Sequence, residues 1–136
     1  IIKGKKMTTL TKQPGIYLIK SGTLDLNDLS KLLEVKGLKS DMAEVSVTNN
    51  NAPLTIGHFT MSPGEEFEYF YDSVEYKVVT KGRIIVRDVE GNKYVAEVGD
   101  VILFSAEVKV IFDGESNGEA IYTAHRKADE NFLPKK

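Results

Sequence analysis

"SVEYKVVTKGRIIVRDVEGNKYVAEVGDVILF", residues 73–104, alternates short apolar segments with the turn sequences "KG", "EGN" and "GD". This pattern is typical of consecutive antiparallel strands. Glu75 and Lys77 stand two positions apart in the first segment, and side chains two apart in a strand point to the same face. The sequence therefore predicts an acid and a base side by side on one face of a sheet.

The pattern of short apolar segments and turn sequences continues from residue 54 to residue 126. Short apolar segments such as "LTIGHFTM", "EFEYFY", "VKVIF" and "EAIYTAHR" are separated by the turn sequences "SPGE" and "DGESNG". Many short strands at close spacing predict an all-β protein, either an antiparallel sandwich or a closed barrel.

The part of the chain before residue 54 has mixed signals. "PGIYLIKSG" (14–22) indicates a short strand, and "TNNNAP" (48–53) indicates a loop. "DLNDLSKLLEVKG" (25–37) predicts a short helix, because a polar cap precedes a leucine stripe and a glycine follows it. The residues behind this prediction are the cap candidates Asp25 and Asn27, the stripe Leu29, Leu32 and Leu33, and the terminating Gly37.

A chain of 136 residues suits one domain. We predict that residues 14–130 form it and that residues 131–136 are a polar C-terminal tail. Residues 1–13 are either a flexible N-terminus or, in part, a remnant of an expression vector, since "IIKGKK" precedes Met7.

Composition limits the possible partners. The formal net charge is -2 and there is no long run of Lys or Arg, so neither nucleic acid nor a membrane surface is an expected partner. The absence of cysteine excludes a disulfide framework and thiolate metal sites. No apolar run reaches the ~20 residues of a membrane span. We expect a soluble, cytoplasmic protein.

Two short motifs resemble those of the cupin family. The spacing from Glu75 through six residues to Gly82 is similar to the end of the first cupin motif, and "GDVILF" (99–104) is similar to the start of the second. Within cupins, "FEYFYDSVEYKVVTKG", "GDVILFSAEVKVIF" and "IYTAHR" resemble the ethanolamine-utilisation Q-type group and its small fungal relatives. The resemblance covers residues 54–126. It implies a double-stranded β-helix, also called a jelly-roll barrel, and a homodimer.

The chain departs from the family at the metal ligands. Where cupins have two histidines in the first motif, this chain has Tyr69 and Tyr71, and the histidine of the second motif falls on Val110. Only Glu75 remains of the usual set of three histidines and one glutamate. One carboxylate does not satisfy a metal ion that needs several converging ligands, so we expect no metal cofactor.

Five side chains are candidates for substrate binding. Tyr69 and Tyr71 lie an even number of positions before Glu75, so their side chains point to the same face as Glu75 unless a bulge around residues 72–73 turns them outward. The last β segment carries Tyr122 and His125. If "SPGE" (62–65) joins two hairpin strands, His58 lies opposite Tyr69 and on its face.

Three functions are compatible with these residues. The first is a metal-independent isomerase, lyase or hydrolase that binds a small polar molecule and uses Glu75 and Lys77 as an acid–base pair. Lys77 has an alternative role in this hypothesis, which is to form a Schiff base with a carbonyl substrate. The second function, implied by the resemblance, is non-catalytic binding or microcompartment assembly. The third is a metal-dependent cupin with a non-standard ligand set built from His58, His125 and Glu75.

Overall fold

The computed structural model describes Lys20, residues 22–48 and residues 53–129. The predictions for residues 1–13, for most of the segment 14–22, for the middle of the loop 48–53 and for the tail 131–136 lie outside the described residues. Among the described residues, no helix is long and apolar enough to cross a membrane.

Nearly all of the regular structure is β-strand. The elements are β1 (Asn27–Asp28), α1 (Leu29–Leu33), β2 (Lys39–Thr48), β3 (Leu54–Ser62), β4 (Phe67–Tyr71), β5 (Glu75–Arg87), β6 (Lys93–Glu97), β7 (Val101–Phe104), β8 (Val108–Phe112) and β9 (Asn117–Ala124). The predicted all-β fold with a short N-terminal helix is confirmed. The strand β2 was not predicted, because its apolar and polar residues do not alternate cleanly.

All strand pairs are antiparallel, and the strand order is β1-β2-β3-β9-β5-β8-β4, with β6 and β7 also paired to β5. The sheet curls on itself. Phe67 of β4 and Phe112 of β8 stack at 4.8 Å, and both rings pack against Phe59 of β3, although neither of these strands pairs with β3. The enclosed face carries the hydrophobic core.

The turn after β3 does not form the hairpin that the sequence suggested. β3 pairs with β2 and β9, whereas β4 pairs with β8. The turn residue Gly64 donates its backbone N–H to Gly114 O (2.9 Å), so the segment carries the chain from one part of the curled sheet to another. The predicted placement of His58 opposite Tyr69 is therefore wrong.

The helix is shorter than its sequence pattern suggested, and its cap is Asp28, not Asp25 or Asn27. The Asp28 side chain accepts a hydrogen bond from Ser30 N (2.8 Å). Asn27 and Asp28 pair with β2. The chain is therefore extended up to Asp28, and the helix begins only after this residue. Glu34, in the left-handed conformation, ends the helix before Gly37.

Gly82, the glycine of the first motif, lies where β5 passes close to β9. Its φ is +61°, and a Cβ built at this position would lie 2.1 Å from Asn117 O. The ladder between β5 and β9 shifts register just before it, between Val79 and Lys81. Only glycine fits such a position, which explains the residue type at this place in the motif.

We predict that Gly82→Ala lowers the free energy of unfolding by more than about 2 kcal/mol, because it combines a left-handed φ with a backbone clash. Gly91→Ala is the matched control: its φ is +88°, but no atom lies within 4 Å of the added Cβ. The control is expected to cost about 1 kcal/mol. Chemical denaturation measures both variants, and equal costs would contradict the close approach at Gly82.

Candidate active site

The first half of β5 points alternate side chains into the curled sheet. Glu75, Lys77 and Val79 are buried, whereas Tyr76 is exposed on the outer face. Glu75 and Lys77 are only 3% and 2% exposed, which is unusual for charged residues and requires pairing. The expectation that both side chains share one face is confirmed, and that face is the inside.

One oxygen of the Glu75 carboxylate is held by two donors. Lys77 Nζ donates to Glu75 Oε2 at 2.8 Å, and Tyr71 Oη donates to the same oxygen at 3.2 Å. The Tyr71 ring stacks on Phe104 with centroids 4.4 Å apart. Burial and the charge of Glu75 raise the pKa of Tyr71 well above its ordinary value, so its hydroxyl keeps its proton and acts as a donor.

The ammonium group of Lys77 lies among aromatic rings. Its Nζ is 4.1 Å from the centroid of Tyr122, 4.4 Å from that of Phe59 and 5.6 Å from that of Phe112. Burial lowers the pKa of Lys77, and the nearby Glu75 carboxylate opposes this effect. The rings and Glu75 together replace the water that the cation has lost.

Glu44 on β2 forms a second buried ionic group, which the sequence analysis missed. Its carboxylate is fully buried and accepts hydrogen bonds from Tyr122 Oη (2.6 Å), from both terminal nitrogens of Arg126, and from the backbone N–H of Asp129 (2.8 Å). Burial and the charge of Glu44 raise the pKa of Tyr122 well above its ordinary value. In the sequence, the feature that indicates this buried group is the single carboxylate of Glu44 between the apolar residues of "MAEV".

Arg126 connects the two carboxylates. It binds Glu44 through Nη1 (3.1 Å) and Nη2, and Nη2 also lies 3.8 Å from Glu75 Oε1. Burial acts to lower the pKa of Arg126, but the hydrogen bonds and charge of Glu44 outweigh it and hold that pKa above its ordinary value. The two carboxylates, Lys77 and Arg126 thus form one network without net charge.

The Glu75 side chain also lines a cavity. Within the described residues its second oxygen, Oε1, accepts no hydrogen bond and lies 3.8 Å from Arg126 Nη2. The cavity has a volume of about 360 Å³. Leu29, Leu33, Met42 and Phe67 are among its apolar lining residues, and Tyr69, Tyr71, Glu75, Lys77 and Arg126 form a polar end.

The structure gathers four of the seven predicted site residues around this cavity: Tyr69, Tyr71, Glu75 and Lys77. The chain leaves the strand at residues 72–74, between β4 and β5, and both tyrosines still line the cavity. Tyr122 is buried behind the cavity, where it contacts Lys77 and Glu44 but does not line the space.

The two histidines do not belong to the site. His58 lies on the outer face of β3, with Nε2 3.6 Å from Glu119 Oε1, because the alternation of β3 turns Phe59 inward instead. His125 follows the end of β9, and its side chain is exposed. Neither histidine lines the cavity at Glu75, so the structure does not group them with Glu75.

The residues around Glu75 do not fit the metal ion that the cupin resemblance implies. Val110, at the position of the second-motif histidine, is buried and pairs with Tyr69. The one retained ligand, Glu75, already binds the Lys77 ammonium. Within the part of the chain that the structure describes, no three His, Cys, Asp or Glu residues are grouped so that they could hold a metal ion.

Comparison with solved structures gives clear matches. A putative ethanolamine utilization protein Q from Salmonella typhimurium LT2 matches with a TM-score of 0.69 and 16% identity over 88% of this chain and 93% of that chain. An RmlC-like cupin from Shewanella frigidimarina NCIMB 400 matches with a TM-score of 0.60 and 17% identity, over 86% and 96% of the two chains. KdgF from Halomonas sp. matches with a TM-score of 0.59 and 14% identity, over 84% and 97%.

Sequence comparison adds nothing to these matches, since neither a protein-family model nor a curated protein matches this chain. Identities below one fifth establish the fold alone, and function must be argued from the site. The chain has the cupin fold, and within that fold it resembles ethanolamine utilization protein Q.

Proposed function

We propose that the protein is a metal-independent enzyme that transfers a proton to or from a small polar organic molecule bound in the cavity. The single observation that carries the proposal is the asymmetry of the Glu75 carboxylate. Lys77 and Tyr71 hold Oε2, while Oε1 accepts no hydrogen bond from the described residues, in a side chain that lines the cavity. A carboxylate held in this way is oriented for proton transfer.

Three polar groups at this end of the cavity have roles in such a reaction. Glu75 Oε1 takes the proton from the substrate. Lys77 and Tyr71 keep the carboxylate in place, and the positive charge of Lys77 stabilises negative charge that develops on the substrate. Isomerisation and elimination both begin with this proton abstraction, and a hydrolase would use the same oxygen to activate water.

The size of the cavity supports binding of a small molecule. A volume of about 360 Å³ lies at the lower end of the range for ligand pockets. The apolar side, which includes Leu33 and Met42, would bury the body of the ligand, and the polar end would orient it. The tyrosines border the cavity and do not fill it, which favours this function over a protein with a plugged barrel.

Non-catalytic binding is the second candidate. It is favoured by the mutual neutralisation of the buried charges, which would also suit a protein that only holds its ligand. Such a protein would bind in the same cavity without exchanging protons. The homodimer, the absence of nucleic-acid and membrane partners, and the cytoplasmic location stay predictions.

We predict that Glu75→Gln abolishes proton exchange, because an amide oxygen is a far weaker base than a carboxylate. The wild type and the variant are incubated in D₂O with a panel of small aldehydes, ketones and keto acids, and NMR follows loss of the C–H signal next to the carbonyl. The rate should fall by about 100-fold or more.

Glu68→Gln is the control for this experiment. Glu68 lies on β4 with a side chain that is 62% exposed, so its amide should leave the rate unchanged. Exchange that persists in Glu75→Gln would exclude Glu75 as the base. Binding without exchange in the wild type would favour the non-catalytic function.

We also predict that Lys77→Met lowers the free energy of unfolding by about 3–5 kcal/mol, because it leaves the Glu75 carboxylate buried without its cation. The double variant Glu75→Gln/Lys77→Met should lose about 1–3 kcal/mol less than the sum of the single losses. Lys81→Met, at an exposed position of β5, is the control and should change stability by less than about 0.5 kcal/mol. If the double variant loses as much free energy of unfolding in chemical denaturation as the two single variants together, the two groups do not depend on each other.

A further inference from the structure

We propose that this cavity selects an uncharged ligand that carries a hydroxyl or carbonyl group on an apolar body. The inference names the substrate class for the proposed function and rests on it, since both concern the same cavity. It follows from the way the buried charges are paired.

Both buried cations already have their own carboxylates. Lys77 is bound to Glu75 at 2.8 Å, and Arg126 is bound to Glu44 through two nitrogens. A ligand carboxylate that replaced Glu44 at Arg126, or Glu75 at Lys77, would leave a buried carboxylate without its cation, which disfavours binding.

A cationic ligand meets the opposite difficulty. Its natural contact is Glu75 Oε1, but Arg126 Nη2 lies 3.8 Å from that atom and Lys77 Nζ is bound to the other oxygen of the same carboxylate. Both carboxylates of this network, Glu44 and Glu75, are already balanced by these two cations, so an added positive charge finds no uncompensated charge there. Asp72, Lys127 and Asp129 also border the cavity, but they are exposed, so solvent and salt screen their charges.

The polar atoms that remain accessible suit a neutral group. Glu75 Oε1 is an acceptor, and the hydroxyl of Tyr69 makes no hydrogen bond within the described residues. Burial raises the pKa of Tyr69, so this hydroxyl is a donor. A ligand hydroxyl carries both a donor for Glu75 Oε1 and an acceptor for the Tyr69 hydroxyl, whereas a ligand carbonyl supplies the acceptor alone. The body of the ligand would then pack on Leu33 and Phe67.

Glu44 is the residue that sets this selectivity. Glu44 is not among the described lining residues, but by binding Arg126 it neutralises the guanidinium that, among those residues, would attract an anion. Its other two partners, Tyr122 Oη and Asp129 N, fix the carboxylate in place. Glu44 is therefore a specificity-determining residue that acts through Arg126.

Three probes of one size test the ligand class: cyclohexanol, cyclohexanecarboxylate and cyclohexylamine, titrated into the full chain at neutral pH and moderate salt. Shifts of backbone amide signals in NMR spectra give the dissociation constants. Cyclohexanol should bind at least about ten-fold more tightly than either charged probe. A charged probe that binds as tightly as cyclohexanol, or cyclohexanol that fails to bind up to its solubility, would overturn the proposal.

The variant Glu44→Gln tests the role of Glu44. The amide cannot neutralise Arg126, so cyclohexanecarboxylate should bind about ten-fold more tightly than it does to the wild type, with little change for cyclohexanol. Glu68→Gln is the control and should leave all three constants unchanged. If the Glu44→Gln variant folds and ranks the probes as the wild type does, Glu44 does not set selectivity. If the variant does not fold, the ranking measured for the wild type still decides the ligand class.

The outcomes separate this inference from the proposed function. The probes undergo no reaction, so their ranking does not depend on turnover. Failure of the proton-exchange experiment would leave the ranking intact, and a reversed ranking would leave Glu75 as the base.

Discussion

The ion pair between Glu75 and Lys77, 2.8 Å apart on one strand and enclosed by the curled sheet, is the interaction on which the interior depends. Two charges so deeply buried are tolerated only when their surroundings replace the lost water. Here the aromatic rings around Lys77 and the hydroxyl of Tyr71 do so. The same contacts fix the orientation of the carboxylate, and within the described residues they leave its other oxygen without a hydrogen bond, in a side chain that lines the cavity.

The second ion pair, between Glu44 and Arg126, lies beside the first. Through it β2 is connected to the end of β9 and to the segment that follows, as far as the backbone of Asp129. The two pairs meet where Arg126 approaches Glu75 at 3.8 Å. Because each cation has a carboxylate of its own, the polar end of the cavity is rich in charges yet has no net charge. This balance is the basis of the proposed preference for an uncharged ligand.

The cupin scaffold in this chain surrounds an interior of a different chemical type. Positions that would hold histidines in the cupin motifs carry Tyr69, Tyr71 and Val110, while Glu75 and Gly82 remain. The two retained residues have different roles. Gly82 is required by the backbone geometry, since no side chain fits between β5 and β9. Glu75 serves the interior, where an ammonium group now binds it. The fold is thus maintained by backbone constraints that do not depend on the metal ligands.

The sequence by itself determined the all-β architecture and the shared face of Glu75 and Lys77. These features depend on strand periodicity and on turn residues, which are local properties of the chain. Only the tertiary structure decided that His58 faces outward, that His125 is exposed, and that Glu44 and Arg126 complete the site. Glu44 and Arg126 are 82 residues apart in the sequence, and their meeting depends on which strands pair. Strand pairing between distant segments is set by how the whole sheet buries its apolar face, so no local pattern could have revealed it.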